Sequence, residues 1–303
     1  MRSITRNLIA TLLLLLTVAP PAQAVFNMTG SRNFIGITEP DVSFPSGNVG
    51  TLSTTACAVT YLRNRWVIAA RHCGPTRPYF SGILYEMEAG VGTDDPASVR
   101  RFDLLKNDGI TICEVNGIDI IAFRLAAIPA GTIEMSYIVT PPETNESVVV
   151  TGNCATCEMG ASTTCSVYGQ TTPAWTLIGT NAALTWGTNR VDAPPTGVSE
   201  RCDDNEQIIS TRLRMLQVSL SPVGDPDMTA SESSSSGGDS GGGIFVKRNN
   251  IWYLAGVLTG GDNICSNHTY IAKTAVAVYN NFFEIGNSLN EVIGPLSARR
   301  CSQ

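Results

Sequence analysis

The chain has 303 residues, 43% hydrophobic and 15% charged, which suits one or two folded domains with a sizeable core and excludes a disordered chain. A net charge of −6 and the lack of a basic stripe make nucleic acid an unexpected partner. The 28 glycines and 16 prolines favour short strands and frequent turns.

The first 24 residues read as a secretory leader. Arg2 and Arg6 supply the positive end, 8–18 is a short apolar run, and Ala22-Gln23-Ala24 is a small-residue cleavage site. The run is too short to span a bilayer comfortably, and no second apolar stretch is long enough, so no membrane span is expected once the leader is removed. Cleavage takes away two arginines and no acids, leaving a more acidic mature chain. Export places the protein outside the cytoplasm, extracellular or periplasmic, where its nine cysteines are expected in disulfides with one left over. Cys154-Ala155-Thr156-Cys157 is read the same way, since Cys165 and Cys202 do not complete a zinc-ribbon spacing. No metal or other cofactor is expected.

From residue 54 onward the chain reads as strands and turns. Candidate strands cover 55–62, 66–70, 118–125, 147–152, 175–178, 183–186 and 214–220, mostly rich in β-branched and aromatic residues. No strand–helix alternation appears, which argues against a parallel α/β sheet. Segments 243–246 and 251–258 flank Lys247-Arg248-Asn249-Asn250 and read as a hairpin. A helix is expected over 274–293, where Val276, Tyr279, Phe283, Leu289 and Ile293 recur at roughly helical spacing.

Three separate segments point to chemistry. Trp66-Val67-Ile68-Ala69-Ala70 is an apolar strand running into Arg71-His72-Cys73. Asp119 opens the apolar run Ile120-Ile121-Ala122-Phe123, and a carboxylate entering a core needs a partner, for which an imidazole N–H is suited. Gly237-Gly238-Asp239-Ser240-Gly241-Gly242-Gly243 lets the backbone turn sharply and lets N–H groups converge on one point, as an oxyanion hole requires.

Taken together, these segments resemble the chymotrypsin/trypsin family of serine peptidases. Ala69-Ala70-Arg71-His72-Cys73 resembles the family's Thr-Ala-Ala-His-Cys, departing at Ala69 and Arg71. Asp119-Ile120-Ile121-Ala122-Phe123 resembles its Asp-Ile-Ala-Leu-Leu strand, and Gly238-Asp239-Ser240-Gly241-Gly242 matches its nucleophile motif throughout. The resemblance spans roughly 51–283, with gaps. It implies an all-β fold of two antiparallel β-barrels with a C-terminal helix: the first barrel at 25–140 carrying His72 and Asp119, the second at 141–303 carrying Ser240, with an insertion near 154–209. It implies a secreted serine endopeptidase that is a monomer acting on proteins or peptides. Ser240 would be the nucleophile, His72 the general base and acid, and Asp119 the group that orients His72. The N–H groups of Gly238 and Ser240 would hold the oxyanion, Thr259, Gly260 and Gly261 would pair with the substrate backbone, and a Cys57–Cys73 disulfide would pin the His72 loop. Asp239 would receive a buried N-terminal amine, with Val25 (after leader removal) and Asn33 (after a cut following Arg32) as the two candidates; a zymogen stage stays open.

The family's pocket floor lies six residues before the nucleophile, at Ser234, so a preference for Arg or Lys is not expected; Glu232 lies two residues off that register. Ile271 would fall on the pocket wall, and His268 lies in the adjacent loop. Two other readings compete with this one. An α/β-hydrolase esterase would need its acid and histidine after Ser240, where His268 is the only histidine. A catalytically silent binding module of the same fold would retain all three triad residues without turnover.

Overall fold

The computed structural model describes residues 26–27, 33, 35, 38–93, 95, 97–102, 105–106, 118–138, 142–154, 158–167, 170–178, 183–191, 201–202, 215–219, 226, 228–234, 238–261, 269–271 and 276–281. The protein is all-β. Among the described residues the helical structure consists of the 3₁₀ turns Ser46–Asn48, Arg71–Cys73 and Val91–Thr93.

After the two-residue strand β1 (Phe26–Asn27) the chain builds its first sheet from β2 (Val49–Leu52), β3 (Ala58–Arg63), β4 (Trp66–Ala69), β5 (Pro78–Phe80), β6 (Ile83–Leu84) and β7 (Val99–Phe102). The short β8 (Leu105–Lys106) precedes the last member, β9 (Ile118–Arg124). Their spatial order is β6-β5-β2-β3-β4-β9-β7, all antiparallel. The chain has crossed to a second sheet by β10 (Ser136–Tyr137). There follow β11 (Ser147–Cys154), β12 (Glu158–Val167), β13 (Gln170–Ile178), β14 (Ala183–Arg190), β15 (Arg201–Cys202), β16 (Met215–Ser219), β17 (Ser233–Ser234), β18 (Gly243–Arg248), β19 (Ile251–Gly261), β20 (Thr269–Ile271) and β21 (Val276–Asn281). The second sheet runs β14-β11-β18-β19-β21-β16, with β10 added in parallel beside β19. Of segment 154–209, β14 belongs to this main sheet, whereas β12 and β13 form a separate hairpin whose second strand pairs with β20.

Two expectations are revised. Within 274–293, Val276–Asn281 is strand β21 rather than helix; the remaining residues of that range lie outside those described. Val276 and Val278 are β-branched, and pairing with both β16 and β19 satisfies the backbone across the sheet in a way a helix there would forfeit. The expected closed barrels are two open sheets: among the described residues β6 does not pair with β7, nor β14 with β16.

The apolar runs that mark these strands are continuous because both faces of each sheet are buried. On β4, Val67 and Ala69 enter the first sheet's own core, while Trp66 and Ile68 enter a core shared by both sheets. On β9 the same alternation sends Ile121 and Phe123 inward and Ile120 and Ala122 to the shared core. Strand β18 mirrors this, with Ile244 and Val246 in the second sheet's core and Phe245 in the shared one. A period of two with both faces apolar reads as an uninterrupted hydrophobic run.

Two carboxylates tie peripheral chain to the β18–β19 hairpin. Asp41 accepts from Lys247 Nζ at 2.7 Å, and its neighbour Phe44 packs edge-on against Phe245 and Trp252. Glu146, at the entrance to β11, receives Arg248 through both carboxylate oxygens at 2.8 and 2.7 Å. Burial is the largest single influence and would raise both carboxyls, but the contacts together outweigh it and hold both below the usual carboxylate range: Lys247, Ser43 and Trp252 at Asp41, and Arg248 with the Glu143 backbone N–H at Glu146. Because these groups titrate lower folded than unfolded, their contribution is complete above the unfolded carboxylate range and is lost as pH falls through the folded values. Glu146→Gln should therefore cost about 1–2 kcal/mol at pH 7. Urea melts of the two forms should converge as pH drops below about 4, and a gap independent of pH would show that the ion pair is not its source.

Candidate active site

His72 is presented by a short, closed turn. Strand β4 ends at Ala69, Ala70 continues extended, and the 3₁₀ turn Arg71–Cys73 follows, closed by Cys73 N–H to Ala70 O at 3.2 Å and Gly74 N–H to Arg71 O at 2.9 Å. Gly74 leaves the turn at a φ of 69°, in the left-handed region that favours glycine. The turn is anchored from below by the Cys57–Cys73 disulfide, whose Cα atoms are 6.3 Å apart and whose cysteines are both buried. His72, Cys57 and Cys73 are clustered closely enough to suggest a metal site, but the two sulfurs are bonded to each other, which leaves the imidazole as the single ligand.

Asp119 is the second residue of β9, two places before Ile121, which pairs with Ala69 of β4. Sheet register thus carries the carboxylate to the His72 turn. One oxygen accepts the His72 backbone N–H at 2.9 Å, and the other lies 2.7 Å from His72 Nδ1. An ionised carboxylate only accepts, so the neutral imidazole must carry its proton on Nδ1, leaving Nε2 with a lone pair. The two contacts fix ring position and tautomer at once. The side chains are 49% and 32% exposed, so the pair lies open to solvent and to a substrate.

Ser240 arrives from the other sheet. Its loop turns through Gly238 at a φ of 101° and Gly241 at 85°. It is fastened by Gly242 N–H to Asp239 O at 2.9 Å, Gly241 N–H to Leu258 O at 2.9 Å and Leu258 N–H to Gly242 O at 2.8 Å. It meets the first sheet where Ala58 N–H donates to the Ser240 carbonyl at 2.8 Å. Ala58 follows Cys57 directly. A Cβ on Gly241 would overlap Ala58 O and lie 3.2 Å from the backbone N of Ala70, two residues before His72. The Ser240 loop is therefore seated between the strand that begins beside the disulfide and the strand that leads to the histidine turn. Ser240 Oγ and His72 are not hydrogen-bonded to each other among the described residues; such contacts commonly tighten only when substrate is bound.

Of the loop's N–H groups, those of Gly241 and Gly242 are spent on carbonyls, whereas those of Gly238 and Ser240 donate to no protein group among the described residues. These two are the donors expected for an oxyanion. Asp239 is fully buried and packs on Gly152 of β11, where any Cβ would overlap its carboxylate. Next to Gly152, the Asn153 side-chain amide donates to Ala56 O at 3.0 Å, tying β11 to the segment before the disulfide. Sequence reasoning did not single out Gly152 or Ala58. A glycine inside the otherwise β-branched run Val148-Val149-Val150-Thr151 is the signal that would have found the former, since it marks close approach of another group.

The remaining expected site residues fall as follows. Ser234 lies on β17 and pairs with Phe26, with Asn27 opposite Ser233. Glu232 is buried, and its carboxylate accepts the Thr229 N–H at 2.7 Å, closing a local turn. Thr259, Gly260 and Gly261 end β19, where β21 is the neighbour on one side. On the other side β18 runs only as far as the Gly243–Val257 pair, beyond which the Ser240 loop begins. Ile271 is on β20 opposite Ala174, while Val25 and His268 lie outside the described residues; Asn33 is described and its carbonyl accepts the Trp186 N–H at 3.1 Å.

Gly241→Ala should cost about 1–3 kcal/mol and separate the two loops, because φ and space are both wrong for a side chain; an unaltered melting curve would show that the close approach is absent. Replacing Cys57 and Cys73 together by alanine should cost about 2–4 kcal/mol. Peptide mapping of the unreduced protein should recover these two cysteines in one linked pair, and any other partner for Cys57 would contradict the geometry. No family model matches the chain, so the site is defined by its own geometry: an oriented imidazole–carboxylate pair on one sheet and a glycine-bounded serine from the other.

Proposed function

We propose that the protein is an exported serine endopeptidase of the chymotrypsin type, its two open sheets corresponding to the two halves of that fold. The observation that carries this reading is the convergence just described: His72 held by Asp119 at 2.7 Å, with the Ser240 loop docked on Ala58 and Ala70 at either side of the histidine's anchor. A serine hydroxyl is too weak an acid to attack an amide unaided. His72 takes its proton through Nε2 as Ser240 Oγ bonds to the scissile carbonyl, and Asp119 stabilises the imidazolium that forms. The Gly238 and Ser240 N–H groups receive the oxyanion. His72 then returns the proton to the leaving amine, an acyl-enzyme remains, and water releases it by the same route in reverse. The acyl side of the substrate lies along Thr259, Gly260 and Gly261, and Ser234 supplies no carboxylate to attract Arg or Lys. Asp239 is the receptor for the new N-terminal amine. Pairing of Phe26 with Ser234 favours Val25, the residue exposed by leader removal, over Asn33.

Fluorophosphonate labelling of the purified protein, read by intact mass, tests the nucleophile. A single adduct is expected, absent from Ser240→Ala. Asp119→Asn should lower turnover by about 10³–10⁴-fold with the fold retained. A folded wild-type chain that takes up no adduct and cleaves nothing in a peptide library would refute the enzymatic reading in favour of a silent binding module.

A further inference from the structure

A cavity of about 420 Å³ opens on the first sheet beside the His72 turn. One wall is Ser53 with Thr54, the second is Pro75, Thr76 and Arg77, and the third begins at Glu86-Met87-Glu88. The walls are joined by the Ser53 N–H to Arg77 O bond at 2.9 Å. We infer that this cavity receives the part of the substrate on the leaving side of the scissile bond, with selectivity for a basic side chain there.

The inference rests on the proposed peptidase reading and follows from where the leaving amine must sit. That amine takes its proton from His72, which belongs to the first sheet, while the acyl half lies along β19 of the second. The chain beyond the scissile bond therefore runs outward over the His72 side. Pro75 is three residues past His72, a span of at most about 11 Å for extended chain, which is the reach of about three substrate residues. The Pro75 wall of the cavity is thus within reach of the third leaving-side residue, and the rest of the cavity lies beyond it.

Its chemistry is set by the groups that line it. They include two carboxylates, Glu86 and Glu88, and one guanidinium, Arg77. Glu88 is neutralised by Arg65 at 3.0 Å and Arg124 at 2.8 Å, neither of which lines the cavity. Glu86 is held by Arg77 at 3.1 Å, with side chains 67% and 49% exposed, so that this pair is solvated, weak and able to exchange partners. The Glu86 carboxylate is the more exposed member and the group best placed to take a Lys or Arg of the substrate, with Met87 and Pro75 beside it for the aliphatic stem.

The test uses internally quenched peptides sharing one acyl half, taken from a sequence the protein cleaves in a library. Their leaving halves carry two residues, or five with Lys, Gln or Asp at the third and fourth positions. Lengthening should raise kcat/KM, and Lys should exceed Asp by roughly two- to five-fold, the size expected of an exposed ion pair. Glu86→Lys should reverse that order while leaving the rate of fluorophosphonate labelling at Ser240 unchanged. Equal rates for Lys and Asp, or a preference that survives Glu86→Lys, would overturn the inference while the peptidase reading stands. Absence of both labelling and cleavage in the wild-type chain would overturn both.

Discussion

The site depends on one close approach between two sheets. Ala58 N–H reaches the Ser240 carbonyl at 2.8 Å only because Gly241 has no side chain where Ala58 O stands. Everything on either side of that contact is arranged to permit it. Ala58 and Ala70 are small and fully buried, and Gly241 sits at a φ of 85°. Behind the contact lies the shared core, in which Trp66, Ile68 and Ile120 of the first sheet meet Val149, Phe245 and Leu254 of the second. Those side chains set the distance between the sheets, and the loop contact converts that distance into the position of a serine relative to a histidine.

Rigidity around the histidine comes from a different source. The His72 turn has little chain of its own, and its placement is imposed by the Cys57–Cys73 bridge beneath it and by the two Asp119 oxygens beside it. Asp119 accepts from the backbone and lies against the ring of the same residue, so main chain and imidazole are oriented together. The first sheet's own core fills in under this arrangement with Val67, Ala69 and Ile121, and both bridged cysteines belong to it.

In the proposed reading the two sheets divide the chemistry. The second supplies nucleophile, oxyanion donors and the edge for the acyl half. The first supplies the base, its orienting carboxylate and the cavity for the leaving half. In the same reading Asp239 links this division to maturation. It is buried against Gly152 next to Ser240, and the strand that leads to its loop pairs with Phe26 and Asn27.

The sequence by itself determined most of the strands and singled out His72, Asp119 and Ser240. Each stands out from its local context: a strand running into a histidine, a carboxylate opening an apolar run, a serine among glycines. Strands β4, β9, β11, β18 and β19 were legible from apolar, β-branched runs. Val276–Asn281 was misread, because a few apolar residues at intervals of three and four suit a helix as well as a strand, and pairing with β16 and β19 is a non-local event that no window of sequence contains. Only the tertiary structure decided that Asp119 meets both the N–H and the ring of His72, that Gly241 and Ala58 are in contact, that Gly152 makes room for Asp239, and that Glu232 closes a turn. Each of these depends on register between strands far apart in the chain, and register is fixed when alternating residues choose between two cores, a choice made by packing after the strands themselves have formed.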